Sequence, residues 1–203
     1  QGGLGYIDGG AGTDVIRVLD TRNGQGIFGN STFRLMGGAG DDRFELAGTQ
    51  LNVVGNSQGA QLQGGAGFDT LVWNGQYNLT IDGHQNPAVG LYAGYKQELA
   101  VSNIESIDLA GSGAHGLTVS FTAADVAAIT ADSDFDRSSL GLGLTGVGKT
   151  LFVNLTDSSN RLQLDSTWQF RGITSTAQGT YIAMESQGSV LLFDGAHGSL
   201  TAM

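Results

Sequence analysis

Three aspartates occupy the same place in a glycine-rich motif that the chain spells three times. Gly-Gly-Ala-Gly-x-Asp runs from Gly9 to Asp14, from Gly37 to Asp42 and from Gly64 to Asp69. Extended by three residues, the copies read GGAGTDVIR, GGAGDDRFE and GGAGFDTLV, with a large apolar residue (Ile16, Phe44, Leu71) at the eighth position. Glycine admits positive φ, so a short bend can turn several carbonyl oxygens toward one point, and the aspartate adds the negative charge that a hard cation requires. Calcium takes about six to eight oxygens, more than one such bend presents. Two bends stacked in adjacent coils can supply them. The candidate ligand positions are Gly9, Gly10, Ala11, Gly12 and Asp14 in the first bend. Gly37, Gly38, Ala39, Gly40 and Asp42 repeat them in the second, and Gly64, Gly65, Ala66, Gly67 and Asp69 in the third. Three stacked bends would enclose two shared ions, with half-sites at the ends. The competing reading, plain glycine turns between strands, does not explain why three near-identical copies recur at regular spacing.

Bends of this kind need strands to hold them in register. With the bends as markers, residues 2–28, 29–54 and 55–81 form three coils of 27, 26 and 27 residues. Ile7, Leu35 and Leu62 each stand two residues before the first glycine, on a strand entering the bend. Ile16/Val18, Phe44/Leu46 and Leu71/Trp73 alternate along the strand that leaves it. A third strand carries Ile27, Leu51/Val53 and Leu79/Ile81. Period-2 alternation is the mark of a strand with one buried face, and stacking such coils would bury a continuous apolar column. Stacking would also align Asn30 with Asn56 as an amide ladder and bring Arg17 beside Glu45.

The nonapeptides resemble the repeats of the RTX (repeats-in-toxin) family, glycine- and aspartate-rich units that build calcium-binding parallel β-rolls. The resemblance implies that each ion lies between successive turns with the aspartates completing its shell. The chain departs from the family in coil length: the usual roll places two nonapeptides in a coil of about 18 residues. One motif in about 27 residues fits a larger coil with calcium along one edge, although looped-out segments could restore the shorter one.

Beyond the third coil the pattern changes. Residues 82–103 hold the only proline, Pro87, with Tyr92 and Tyr95, and read as an excursion. From 104 the chain resumes strand alternation; NIESIDLAGSG, residues 103–113, resembles the segment next after the repeat blocks in large RTX adhesins. Thr122-Ala-Ala-Asp125 opens a short helix with Thr122 as N-cap and Asp125 at the capping-box position. From 150 onward, LFVNL, NRLQLD, WQFRG, TYIAMES and SVLLFD read as a strand meander. Lacking glycine bends, it would cover the end of the repeats, whose unpaired backbone needs a cap.

Composition narrows the function. The 203 residues include 34 glycines, one proline and no cysteine, and the net charge is −10. That charge argues against nucleic acid as a partner and makes a cation-free chain repel itself. Without disulfides, an extracellular protein can use metal ions as its staple. No run of transmembrane length is present, so no membrane insertion is expected. Because Gln1 leads straight into repeat-like GGLGYIDGG, the chain reads as a fragment of a longer protein.

Several motifs point elsewhere on spelling alone. Gly143 to Thr150 fits GxxxxGK[ST], but Lys149-Thr150 runs into strand-like LFVNL where a phosphate loop needs a helix. Gly55-Asn-Ser57-Gln-Gly59 fits a nucleophile elbow yet sits in a repeat turn. His84, His115 and His197 are scattered. Asp132, Asp134 and Asp136 alternate like the start of an EF-hand loop but lack its glycine and closing glutamate. Of the aromatic residues, Trp73 faces the core by pattern and Trp168 lies on a strand, leaving Tyr92 and Tyr95 as candidates for a sugar platform.

The expectation is an all-β fold: a calcium-binding parallel β-solenoid over 1–81, an excursion at 82–103, and strands, one helix and a β-rich cap over 104–203. No catalytic residue is assigned. The implied role is a non-enzymatic structural module of a large secreted bacterial RTX adhesin at the cell surface, exported unfolded by type I secretion and folded by external calcium. Its partners would be calcium ions and neighbouring domains. The alternatives are a glycan- or peptide-binding module of such an adhesin, or the non-catalytic tail of a secreted hydrolase or epimerase.

Overall fold

A computed structural model describes residues 5–19, 33–48, 60–75, 78–82, 88–92, 96–109, 118–131, 133–194 and 199–202. Each motif is flanked by two strands: β1 (Gly5–Ala11) and β2 (Val15–Leu19), β3 (Phe33–Ala39) and β4 (Arg43–Gly48), β5 (Ala60–Ala66) and β6 (Thr70–Gly75). The odd strands pair in parallel in one sheet and the even strands in parallel in another. Register is matched motif to motif, with Gly10 opposite Gly38, Gly38 opposite Gly65, and Ala11, Ala39 and Ala66 in line.

β7 (Asn78–Asp82), β8 (Ala88–Tyr92) and β9 (Lys96–Ser102) form an antiparallel meander in the first sheet, where β9 lies parallel to β5. The stretch 82–103 is therefore more than a connection. Ala60, Leu62 and Gln63 pair with Leu99, Val101 and Ser102, so the strand after the meander takes up the next place in the stack. β10 (Ser106–Asp108) then joins β6, and β11 (Thr118–Ser120) joins β7. The helix α1 (Ala123–Ile129) has the expected capping box: the Asp125 amide donates to Thr122 Oγ1 at 3.2 Å, and the Thr122 amide donates to Asp125 Oδ2 at 2.7 Å.

β12 (Thr150–Asn154), β13 (Arg161–Leu164), β14 (Gln169–Thr176), β15 (Gly179–Ser186), β16 (Ser189–Phe193) and β17 (Ser199–Ala202) complete the chain. Only β14, β15 and β16 make the expected meander. β12 and β16 instead continue the parallel pairing of the second sheet, and β13 and β17 that of the first. Parallel pairing persists without glycine motifs because shorter bends replace them, built on left-handed Asn103 in one case and on left-handed Gly148 and Lys149 in the other. Asn103 (φ 51°) and Lys149 (φ 52°) each stand three residues before a matched pair, Ser106 and Phe152. The result is an all-β protein whose described residues form two mixed sheets of nine and eight strands.

The core follows the alternation read from the sequence. Ile16, Phe44, Leu71, Ile107, Val153 and Phe193 lie opposite one another through the second sheet as one buried column. Val18, Leu46 and Trp73 form a parallel row, and Leu35, Leu62 and Val101 face them from the first sheet. Burying each such side chain contributes about 1.5–3 kcal/mol. Ile7 belongs to the same row but is 48% exposed, because β1 ends its sheet. Ile27, Leu51 and Val53, and with them the Asn30/Asn56 ladder, lie outside the described residues.

Candidate metal centre

The three bends lie directly over one another. In each, the second and fourth motif positions take left-handed φ, as at Gly38 (112°) and Gly40 (125°). A β-carbon on Gly38 would overlap the Gly10 carbonyl, and one on Gly65 the Gly38 carbonyl, so the spacing between bends excludes any side chain there. Backbone bonds fix the stack: the Gly12 amide donates to Ala39 O and the Gly40 amide to Ala66 O, both at 2.7 Å. On the far side the Arg43 amide donates to Asp14 O at 2.9 Å and the Thr70 amide to Asp42 O at 2.8 Å.

This register stacks the carboxylates. The Asp14 amide donates to Asp42 Oδ1 at 2.9 Å, and the Asp42 amide to Asp69 Oδ1 at 2.8 Å. One oxygen of Asp42 and one of Asp69 is thus tied to the neighbouring bend. The other oxygens of the column, Asp14 Oδ2, Asp42 Oδ2 and Asp69 Oδ2, are buried with no hydrogen-bond partner. Each lies beside a carbonyl of the next bend. A β-carbon built on Gly9 would stand 2.8 Å from Asp14 Oδ2 and 2.6 Å from Gly37 O; one on Gly37 would overlap Asp42 Oδ2 and stand 2.6 Å from Gly64 O. The absent glycine side chains leave room where oxygens from two bends meet.

The column is electrostatically costly on its own. Burial pushes the Asp42 carboxyl above its ordinary range, with Asp14 and Asp41 adding to the effect. Burial pushes Asp69 up to about 7, reinforced by the charges of Glu105, Asp42 and Asp41 and opposed by its bond from the Asp42 amide. Every charge acting on these two groups is a carboxylate. A buried carboxylate oxygen with no donor is a strongly unfavourable arrangement unless a proton or cation completes it.

The donor set, oxygen throughout, fits a hard cation and not a soft or imidazole-seeking metal. Among the described residues no three His, Cys, Asp or Glu side chains gather at one point. A site built mostly of carbonyls needs only one or two carboxylates per ion.

Sequence reading missed a fourth rung. The Asp69 amide donates to Glu105 Oε2 at 2.8 Å, and the Glu105 and Ser106 amides donate back to Asp69 O at 3.1 and 3.0 Å. Glu105 is 1% exposed and stands where a fourth motif aspartate would, on a shorter bend that its longer side chain spans. The signal was present: Ile107 comes two residues after Glu105, as Ile16, Phe44 and Leu71 come two after the motif aspartates.

The remaining candidates fall away from this column. Lys149 leads into β12, not a helix. Asp136 caps the 3-10 helix Arg137–Leu140 through the Ser138 amide at 2.9 Å, Asp134 is exposed, and Asp132 lies outside the described residues. Ser57, His84, His115, His197 and Tyr95 also lie outside them, and Tyr92 ends β8. Trp73 is buried as expected. Trp168 is buried just before β14, donating Nε1–H to Phe121 O at 3.1 Å. Arg17 pairs with Glu45 at 2.6 Å across the neighbouring strands β2 and β4. No family model, curated protein or solved structure matches the chain.

Proposed function

We propose that this chain is a calcium-dependent structural module of a large secreted RTX-type bacterial surface protein or adhesin. In this reading its two sheets are the walls of a parallel β-solenoid, calcium lies along one edge between the stacked bends, and the β14–β15 hairpin belongs to a β-rich cap. The single observation that carries it is the column of stacked aspartates, each with one buried oxygen left without a donor. Asp14, Asp42 and Asp69 would hold the ions together with carbonyls of the glycine bends. The bound ion would neutralise stacked charge and tie successive coils together; the protein's own groups supply position, burial and charge.

The role follows from that coupling. Where calcium is scarce, the aspartate column and the net charge of −10 oppose folding. Extracellular calcium modules work at roughly 10⁻⁴–10⁻³ M, so the same chain stays open inside a cell and closes outside. Secretion in an unfolded state and display at the cell surface fit this switch, and the work of the module is mechanical rather than catalytic.

Circular dichroism during calcium titration tests the proposal. β signal is expected to rise with calcium, and Asp42→Ala is expected to need more calcium for a smaller rise, because Asp42 lies between both pairs of bends. A spectrum indifferent to millimolar calcium would refute the proposal.

A further inference from the structure

The arrangement that closes each gap between glycine bends recurs once more, beyond the last motif. At Gly9 the meeting oxygens are Asp14 Oδ2 and Gly37 O, and at Gly37 they are Asp42 Oδ2 and Gly64 O. At Gly64 a β-carbon would overlap Asp69 Oδ2 and the carbonyl oxygen of Asn103. Asn103 occupies the position of the next glycine and reaches it with φ 51°, a conformation asparagine tolerates better than most residues. Its bend brings two more oxygens: Asn103 Oδ1 and Glu105 Oε1 are both buried without a hydrogen-bond partner, on residues 6% and 1% exposed. Glu105 cannot swing away, since Oε2 holds the Asp69 amide at 2.8 Å.

The surroundings close this place off. The Ile104 amide donates to Ile129 O at 3.2 Å, docking the bend on the end of α1. Phe68 of the third glycine bend packs edge-on against Phe135 and Phe152, with ring centres 6.3 and 5.3 Å away. Burial pushes the Glu105 carboxyl above its ordinary range, opposed by the Asp69 amide and the Ser133 side chain and reinforced by the charge of Asp134. All the ionised neighbours acting on Asp69 and Glu105 are acidic.

We propose that Asp69, Asn103 and Glu105 form a third, terminal calcium site, in which the Asn103–Glu105 bend completes the half-site left by the last glycine motif. The proposal rests on the calcium reading of the glycine bends and extends it to a bend without their spelling. Asp69 and Glu105 supply two carboxylate oxygens, and Asn103 supplies its carbonyl and side-chain oxygens. Such a site would also clamp the glycine coils to α1 and to the strands C-terminal to it.

Isothermal titration with calcium on the whole chain tests this, with far-UV circular dichroism as a folding control. The intact chain is expected to bind three ions and Glu105→Gln two, with the same spectrum in saturating calcium. Gln retains an oxygen for the Asp69 amide while removing the charge. Asn103→Gly, which keeps the backbone conformation and loses Oδ1, is expected to weaken one of three sites about tenfold; it serves if Glu105→Gln does not fold. Unchanged number and affinity in the folded variants would overturn the terminal site while leaving the glycine-bend sites standing, provided Asp42→Ala still lowers binding. No calcium uptake by the intact chain would overturn both.

Discussion

Replacing Asp69 by Asn should have opposite effects with and without calcium. Asp69 is fully buried, and burial with its acidic neighbours raises its carboxyl from 3.8 to about 7. A folded value above the unfolded one is a penalty on the ionised form. It begins as pH rises through about 4, where the unfolded carboxylate ionises, and is complete once pH passes about 7. A rise from 3.8 to about 7 corresponds to about 4 kcal/mol at full effect. Asparagine removes the charge, keeps an oxygen for the Asp42 amide, and turns an N–H toward the Asn103 carbonyl that Asp69 Oδ2 now faces. In EDTA at pH 8, where the original chain is largely open, circular dichroism should therefore find a larger folded fraction in Asp69→Asn, a shift of up to about 4 kcal/mol in its folding equilibrium, and the gap should close toward pH 4. In calcium the order should reverse. Each intact site gains about 2.7 kcal/mol at a free ion concentration one hundred times its Kd, and the variant lacks a charge at its share of that gain. A difference that stays constant from pH 4 to pH 8 in EDTA, or a variant that gains as much from calcium as the original, would refute the reasoning.

Two further substitutions test the packing that positions the column. Gly38→Ala combines left-handed φ with overlap on the Gly10 carbonyl and should cost at least about 2 kcal/mol in urea unfolding, whereas Gly141→Ala, with φ 67° and open space, should cost about 1 kcal/mol. Phe152→Ala removes a fully buried ring whose centre lies 5.3 Å from Phe68 and 5.2 Å from Phe135 and Tyr181. It should cost about 3–5 kcal/mol, read as a drop in the thermal midpoint.

The sequence made the stack legible because its two periods agree. The motif recurs at near-regular spacing, and after each copy Ile16/Val18, Phe44/Leu46 and Leu71/Trp73 alternate at period 2, so the glycine bends and the apolar rows can fall in register together. The same logic located Arg17 beside Glu45 and the cap of α1. Past residue 82 the spelling changes while the pairing does not. β9 rejoins β5 after an antiparallel detour, which local patterns cannot reveal, because a strand's partner is set by what lies across the sheet. Asn103 in one place, and Gly148 with Lys149 in the next, make shorter left-handed bends where the glycine motifs made them before, so motif matching stops at Asp69 although β10, β12 and β16 carry the second sheet onward. Glu105 was hidden for the same reason: a shorter bend needs a longer acid to reach the amide of the preceding bend's acidic residue, here Asp69.

A crystal structure of the chain grown in calcium, with the ions located by anomalous scattering, tests the central claim most directly. Calcium peaks are predicted between the Gly9–Asp14 and Gly37–Asp42 bends and between the Gly37–Asp42 and Gly64–Asp69 bends, each touching the aspartate oxygen that has no donor here. Bends in register with protonated or water-bound aspartates, and no ion between them at millimolar calcium, would contradict it.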